Sequence, residues 1–249
     1  KGYARRIALV ETTFVGSPSV TRVARATDTA LQAATLDAKA TSTGQDVVAK
    51  ALDALHAIIG DPADERSPSA AIAALKASLV AAAASPQDAT GLASIVHQAE
   101  TATARLRDAT EIVQGVRKQA DKDMSASVAE VNSLLKQFET ANAGIVGGQS
   151  NGLDTSDLLD RRDAILDDLS RFVSISTIAG PNGDLAIYTD TGIALFQGAP
   201  RTVAMQATTE YAPGMAGQAV YIDGVAVTGP TATMRLGGGA LSGQALVRD

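Results

Sequence analysis

The chain has 249 residues, 45% of them hydrophobic but only 3% aromatic and none Trp, so its core has to be built from Ala, Leu, Val and Ile; this length allows one large or two modest domains. A net charge of −6 argues against a nucleic-acid partner, because a basic face is needed to neutralise phosphates. The absence of cysteine excludes disulfides, Cys-ligated zinc and thiol catalysis.

Taken in chain order, residues from about Val20 to Ile59 read as a first long helix, with Val48, Leu52, Leu55 and Ile59 as its clearest seam and Gly44 as a place where it bends or divides. Gly60-Asp61-Pro62 ends it, since a proline ring disfavours helix in the preceding residue. A second helix starts near Ser67-Pro68 and stops at Ser85-Pro86. Its alanine-rich run 70–84 is the most membrane-like stretch. It is shorter than the roughly 20 residues a span needs, and Lys76 sits at its centre, so no membrane partner is expected.

The strongest periodic signal follows. Ile95, Ala99, Ala102, Leu106, Ala109, Val113 and Val116 alternate steps of four and three. After a phase shift near Ala120 to Asp123 a second register appears at Met124, Val128, Val131, Leu135, Phe138 and Ile145. Such spacing is a coiled-coil seam, and it predicts one very long helix or two in line, of order 75 Å. Its partner helix is either the first helix or a neighbouring subunit.

A short charged helix is predicted next. Asp154 is its expected N-cap, with Asp157 in the reciprocal position of a capping box. Leu158, Leu159, Ile165, Leu166, Leu169 and Phe172 form an apolar stripe, while Asp157 and Arg161 are spaced to pair on the wetter side. Beyond it the pattern changes to short alternating runs at 173–178, 185–189, 193–196, 202–206, 219–222, 225–228 and 231–236, separated by turn signals. Asp223-Gly224 in particular suits a two-residue hairpin. The fold class expected is therefore α+β: an elongated bundle of long, coiled-coil-like helices followed by a small antiparallel β domain. The helical domain spans residues 1–171, with 237–249 returning to it, and the β domain spans 172–236.

The segment Asp157-Leu158-Leu159-Asp160-Arg161-Arg162-Asp163 resembles the Asp-Leu-Leu-Asp-x-Arg-Asp signature of the flagellar hook-associated protein 1 (FlgK) family. Gly2, Tyr3 and Arg5 resemble that family's Gly-Tyr-(Ser or Thr)-Arg start motif, with Ala4 in place of the hydroxyl residue. Gly237, Gly238, Arg248 and Asp249 resemble the motifs with which the family re-enters its helical domain. The three matches occur in the family's order, and the resemblance implies a long helix before the signature that ends in a Gly-rich loop, here Gly144 to Gly152. The resemblance implies an exported, extracellular structural subunit of the bacterial flagellum at the hook–filament junction, without catalysis or cofactor. Its implied partners are hook protein, the second junction protein and copies of itself in a helical array. The chain opens at Lys1 without a start methionine or secretory signal, so terminal helices are expected before Lys1 and after Asp249, with an export chaperone contacting them and a type III flagellar export route.

Other chemistries find little support. His56 and His97 lie within predicted helices with no triad arrangement suggested around them. Asp154, Asp157, Asp160, Asp163, Asp167 and Asp168 lack the ordered loop and central Gly of a calcium site. Gly237-Gly238-Gly239 lacks the Lys-Ser/Thr of a phosphate loop. No catalytic, cofactor-binding or metal residue is therefore expected. The alternatives are another flagellar axial protein, flagellin-like or the second junction protein, and a ligand-binding module or lyase on a helical scaffold, which a deep polar pocket would favour.

Overall fold

The computed structural model of the chain describes residues 5–12, 18–61, 64–208 and 210–249; within these, the side chains of 5–12, 18–24, 26 and 58 are not described. Two strands open it, β1 (Arg5–Thr12) and β2 (Pro18–Ala26), paired as an antiparallel ribbon in which Arg6 lies opposite Arg25. The helix expected from Val20 therefore begins only at Thr29. Val20, Thr21 and Val23 are β-branched residues, stiff at χ1 and suited to a pleated surface. Asp28 then caps α1 (Thr29–Ile59), its carboxylate accepting from the backbone N–H groups of Ala30 and Leu31 at 3.0 Å each.

Helix α1 runs through Gly44 unbroken and ends at Gly60, whose N–H donates to the His56 carbonyl. Gly44 serves close approach rather than bending: a Cβ there would stand 3.1 Å from the Gly239 carbonyl oxygen. Helix α2 (Pro68–Ala84) starts as expected, with the Ser67 hydroxyl accepting from the Ala70 N–H at 3.1 Å and Pro68 in the first turn.

Helix α3 (Ala89–Ser150) is a single helix of 62 residues, roughly 93 Å long at about 1.5 Å per residue. It does not stop at Gly144. A Cβ at Gly144 would press within 3.1 Å of Leu158, and one at Gly148 within 2.5 Å of Thr155, so these glycines let α4 (Ser156–Ser170) lie against the end of α3. The expected capping box is also absent. Thr155 occupies the N-cap without a side-chain bond, and Asp154 instead accepts from the Ser156 N–H at 2.9 Å, a tight turn that leads the chain into the helix.

Two three-stranded antiparallel sheets follow. The first orders β3 (Ile175–Ala179), β4 (Leu185–Thr189) and β5 (Ala194–Phe196); the second orders β6 (Val203–Met205), β7 (Val220–Ile222) and β8 (Val225–Ala226). Asp223 and Gly224 link β7 to β8 with φ of 51° and 85°, the positive-φ hairpin anticipated from their identities. The strand expected at 231–236 is not formed. Gly229-Pro230 turns the chain there, with the Ala232 N–H donating back to the Gly229 carbonyl, and only the Leu236 N–H reaches β8's continuation, at the Val227 carbonyl. Helix α5 (Ala240–Arg248) closes the chain.

The architecture is thus long helices followed by small antiparallel sheets, as the patterning implied. The core gathers on the C-terminal half of α3. Met124, Val128, Val131, Leu135, Phe138 and Ile145, the second predicted register, are all buried. Leu169 of α4, Ile187 and Phe196 of the first sheet, Val203 and Val220 of the second, and Leu241 of α5 pack into the same cluster as Leu135 and Phe138. Phe138 meets Phe196 edge to face, ring centroids 4.9 Å apart. The first register, 95–116, is only partly covered, mainly by α2.

Candidate functional site: two arginine-anchored joints

The first joint is built on α4. Arg162 is buried; its Nη1 donates to the Asn142 side-chain oxygen of α3 at 3.0 Å and to the Gly183 carbonyl at 2.6 Å, in the turn between β3 and β4. Asn142 passes the connection on, its Nδ2 donating at 2.5 Å to Asp184, whose carboxylate also accepts from the Leu185 N–H at 2.9 Å. One guanidinium therefore ties α3, α4 and the first sheet together, as a planar fork with several donors can. Burial beside Arg25 depresses the affinity of Arg162 for its proton, with desolvation the larger cause and neighbouring Asp163 opposing it.

Arg25, at the end of β2, approaches the other side of the same helix. Its Nη2 lies 2.7 Å from Asp160 and 2.5 Å from Asp163. Farther along, Lys39 of α1 meets Asp167 at 2.5 Å, and the Ser174 hydroxyl donates to Asp37 at 3.2 Å. The acidic face of α4 is thus engaged by cations from the ribbon and from α1. Leu158 is half-buried beside Gly144 of α3, Leu159 is half-buried facing α1 and Arg25, Asp157 and Arg161 are exposed, and Ile165, Leu166 and Leu169 enter the core.

The second joint lies at the chain's end. Gly237 donates its N–H to Asp190 at 2.8 Å, the Gly238 carbonyl accepts from Ser174, and Gly239 donates to the Ala40 carbonyl of α1 at 2.8 Å. Gly239 has φ +87°, and a Cβ there would collide with the Phe172 carbonyl. Only glycine fits that path between α1 and the α4–β3 connection.

Arg248 is fully buried and Asp249 closes on it, its carboxylate accepting from Arg248 Nε at 3.0 Å and from the Gly217 N–H at 3.3 Å. Arg248 Nη1 also donates to the Gln218 carbonyl at 2.5 Å and lies 3.5 Å from buried Asp121 of α3. Asp121 in turn accepts from the Tyr211 hydroxyl at 2.8 Å and the Thr208 N–H at 2.7 Å. Arg117, one turn earlier, donates to the Arg248 carbonyl at 2.6 Å and to the carbonyls of Ala212 and Met215, with Tyr211 against its face, 4.7 Å from the guanidinium carbon to the ring centroid. These contacts fasten the long loop 206–219 and α5 to α3.

Of the residues singled out from the sequence, Arg162, Asp160 and Asp163 meet in the first joint, and Gly237, Gly238, Arg248 and Asp249 in the second. Gly2 and Tyr3 lie outside the described residues; Arg5 begins β1. Sequence reasoning missed Arg25, Asn142, Asp184, Arg117, Asp121 and Tyr211. A signal existed for three of them: Arg117, Asp121 and Asn142 fall at seam positions of the heptad pattern on α3, where an unpartnered polar group is expensive. The phase shift near Ala120 is where Arg117 and Asp121 sit.

An open, polar cleft of about 970 Å³ adjoins the first joint, lined in part by Arg25, Gln32, Asp154, Leu159, Arg162 and Thr177. Among the described residues no helix is long and apolar enough to cross a membrane, and no group of three or more His, Asp or Glu is placed to hold a metal ion.

Compared with known proteins, residues 52–249 match the model of the flagellar hook-associated protein FlgK helical domain. No curated protein matches the chain. Among solved structures, the fold is similar to that of the flagellar hook junction protein FlgK from Burkholderia pseudomallei, with a TM-score of 0.68 and 22% identity, over 89% of this chain and 39% of that one. The chain therefore spans about two-fifths of that protein's length, and at this identity the likeness is one of fold. With the family model covering well over half of the sequence, the chain belongs to the FlgK family of flagellar hook-associated proteins.

Proposed function

We propose that this chain is a load-bearing, non-catalytic part of a hook–filament junction subunit, one that links hook to filament and supports filament assembly. The observation that carries the reading is the first joint: a single buried arginine, Arg162, bonds to α3 and to the β3–β4 turn at once. A molecule that transmits force between two tubes needs its layers held at a fixed angle, and buried charge-assisted hydrogen bonds resist shear better than apolar contact alone because they are directional. In this reading the helices between Thr29 and Ser170, with residues 237–249 returning to them, supply axial stiffness, and the β part, 172–236, faces neighbours.

The partners proposed are those of such a subunit: hook protein on one side, the second junction protein on the other, and further copies of the chain around the axis. An export chaperone acting on terminal segments, export by the flagellar type III route and an extracellular location belong to the same proposal. The structure's resemblance to a hook junction protein supports it.

The test is made in the whole protein in a flagellated bacterium. Arg162→Ala and Arg25→Ala together are expected to leave secretion intact but reduce filament attachment and swimming, while Arg161→Ala leaves both unchanged. Normal filaments and motility in the double variant, with the variant shown to have lost the joint by hydrogen exchange, would count against the load-bearing role.

A further inference from the structure

Helices α2 and α3 form a two-helix arm, joined by residues 85–88, and part of its large apolar surface faces outward. The residues turned toward each other are mostly small: Ala71, Leu75, Ser78 and Ala82 on α2, and Gly91, Ile95, Gln98 and Ala102 on α3. Leu75 and Ile95 stay half-buried between the helices, but other large apolar residues point away. Ile72, Leu79 and Leu92 are each 50% exposed, and Val96 is 59% exposed.

Helical geometry places these four on one side. At about 100° per residue, Ile72 and Leu79 stand roughly a quarter turn round from the inner row of α2, and Leu92 and Val96 stand the same angle from the inner row of α3. Because the helices run antiparallel, the two rotations bring both rows to the same side of the arm. On α3 the row continues through Ala99, Thr103 and Leu106, again in steps of four and three, the spacing that receives another helix.

Charge selects the occupant. Lys76 of α2 and Glu100 of α3, both exposed, edge this face on opposite helices at levels about one helical turn apart. A half-turn about an axis parallel to the arm sets α2 of one copy on α3 of another and brings each Lys76 beside the other copy's Glu100. We propose that this face binds the same face of a second copy, giving a four-helix bundle with a two-fold axis.

The size of the contact sets its strength. An arm about 25 Å long and about 20 Å wide presents on the order of 500 Å² per copy. Roughly 1,000 Å² in total lies at the small end of specific interfaces, so the association is weak and concentration-dependent. The pairing goes beyond a place at the hook–filament junction and does not depend on it.

Sedimentation velocity of this chain over a concentration series tests it. The wild type is expected to shift from monomer to dimer as concentration rises, and Leu92→Glu with Val96→Glu to weaken dimerisation roughly tenfold or more. Lys76→Glu or Glu100→Lys alone weakens it, and the two together restore it. All four sites are exposed, so circular dichroism should show an unchanged helix content. A chain that stays monomeric throughout, a dimer indifferent to the glutamates, or a charge swap that fails to rescue each overturns the proposal. Swimming and filament attachment in the same variants report separately on the junction reading: loss of dimer with normal filaments sinks only the pairing.

Discussion

At the scale of single residues, buried arginines tie separate elements together through oriented partners. Removing Arg162 leaves the Asn142 oxygen and the Gly183 carbonyl without their donor, and hydrogen bonds to a charged group contribute about 1.5–3 kcal/mol each. Arg162→Ala is accordingly expected to lower unfolding stability by about 3 kcal/mol in urea titration, whereas exposed Arg161→Ala stays within about 0.5 kcal/mol. Equal effects at the two positions would show that the burial difference does not govern the motif. Tyr211 offers a pH handle. Burial raises its phenol above the ordinary value of 10.0, Thr208 opposes this, and the hydrogen bond to Asp121 reinforces it. A raised folded-state pKa means that the native chain holds the proton more tightly than the unfolded one, so this stabilisation is complete below 10.0 and is lost as pH climbs through the folded value. Thermal melts should therefore fall in the alkaline range, and Tyr211→Phe should flatten that fall; a parallel fall in both would place its origin elsewhere. The aspartates of α4 were legible as an acidic helix start and face. Their partners were not, because Arg25 and Lys39 are more than a hundred residues away in sequence.

At the scale of elements, the helices were legible and their ends were not. Heptad spacing identified α3 because a repeat sustained over many turns outweighs single-residue propensities. Its C-terminus lies at Ser150, past the Gly144 where the family resemblance puts the start of a Gly-rich loop. In the structure Gly144 and Gly148 clear space for Leu158 and Thr155, and that packing outweighs the helix penalty of glycine, about 1 kcal/mol each. The sign of one substitution follows. Gly148→Val should destabilise the α3–α4 contact by about 1–3 kcal/mol, because the new side chain meets Thr155, although valine is the better helix former. Thr155→Gly in the same background should recover part of the loss, and the pair can be read by denaturant unfolding. An increase in stability from Gly148→Val alone would mean that the helices are not held this closely. Residues 20–26 show the opposite case: the helical reading from Val20 runs through β-branched residues that pair instead with residues 5–10.

At the scale of the whole molecule, cover on α3 is uneven. Residues 124–145 are enclosed by α4, α5 and both sheets, while residues 89–116 have chiefly α2 beside them. Local opening costs less where fewer apolar groups are buried. Hydrogen exchange is therefore expected to be slowest in amides of 124–145 and β4 and much faster in the α2–α3 arm, even though all of α3 is one helix; uniform protection along α3 would contradict this. The sequence by itself determined the class of each stretch, since the three-four periodicity of the long helix, the alternation of the later strands and the Asp223-Gly224 turn are local patterns written over adjacent residues. It also determined which protein family the chain resembles. Tertiary structure alone decided that Arg162, Asn142 and Asp184 form one connection, that Arg117 and Asp121 hold the last helix and the loop before it, and that three glycines near the end thread between α1 and the α4–β3 link. Those contacts join residues far apart in the chain, where no periodicity records the distance, and their energies arise from burial and geometry that exist only after the layers have come together.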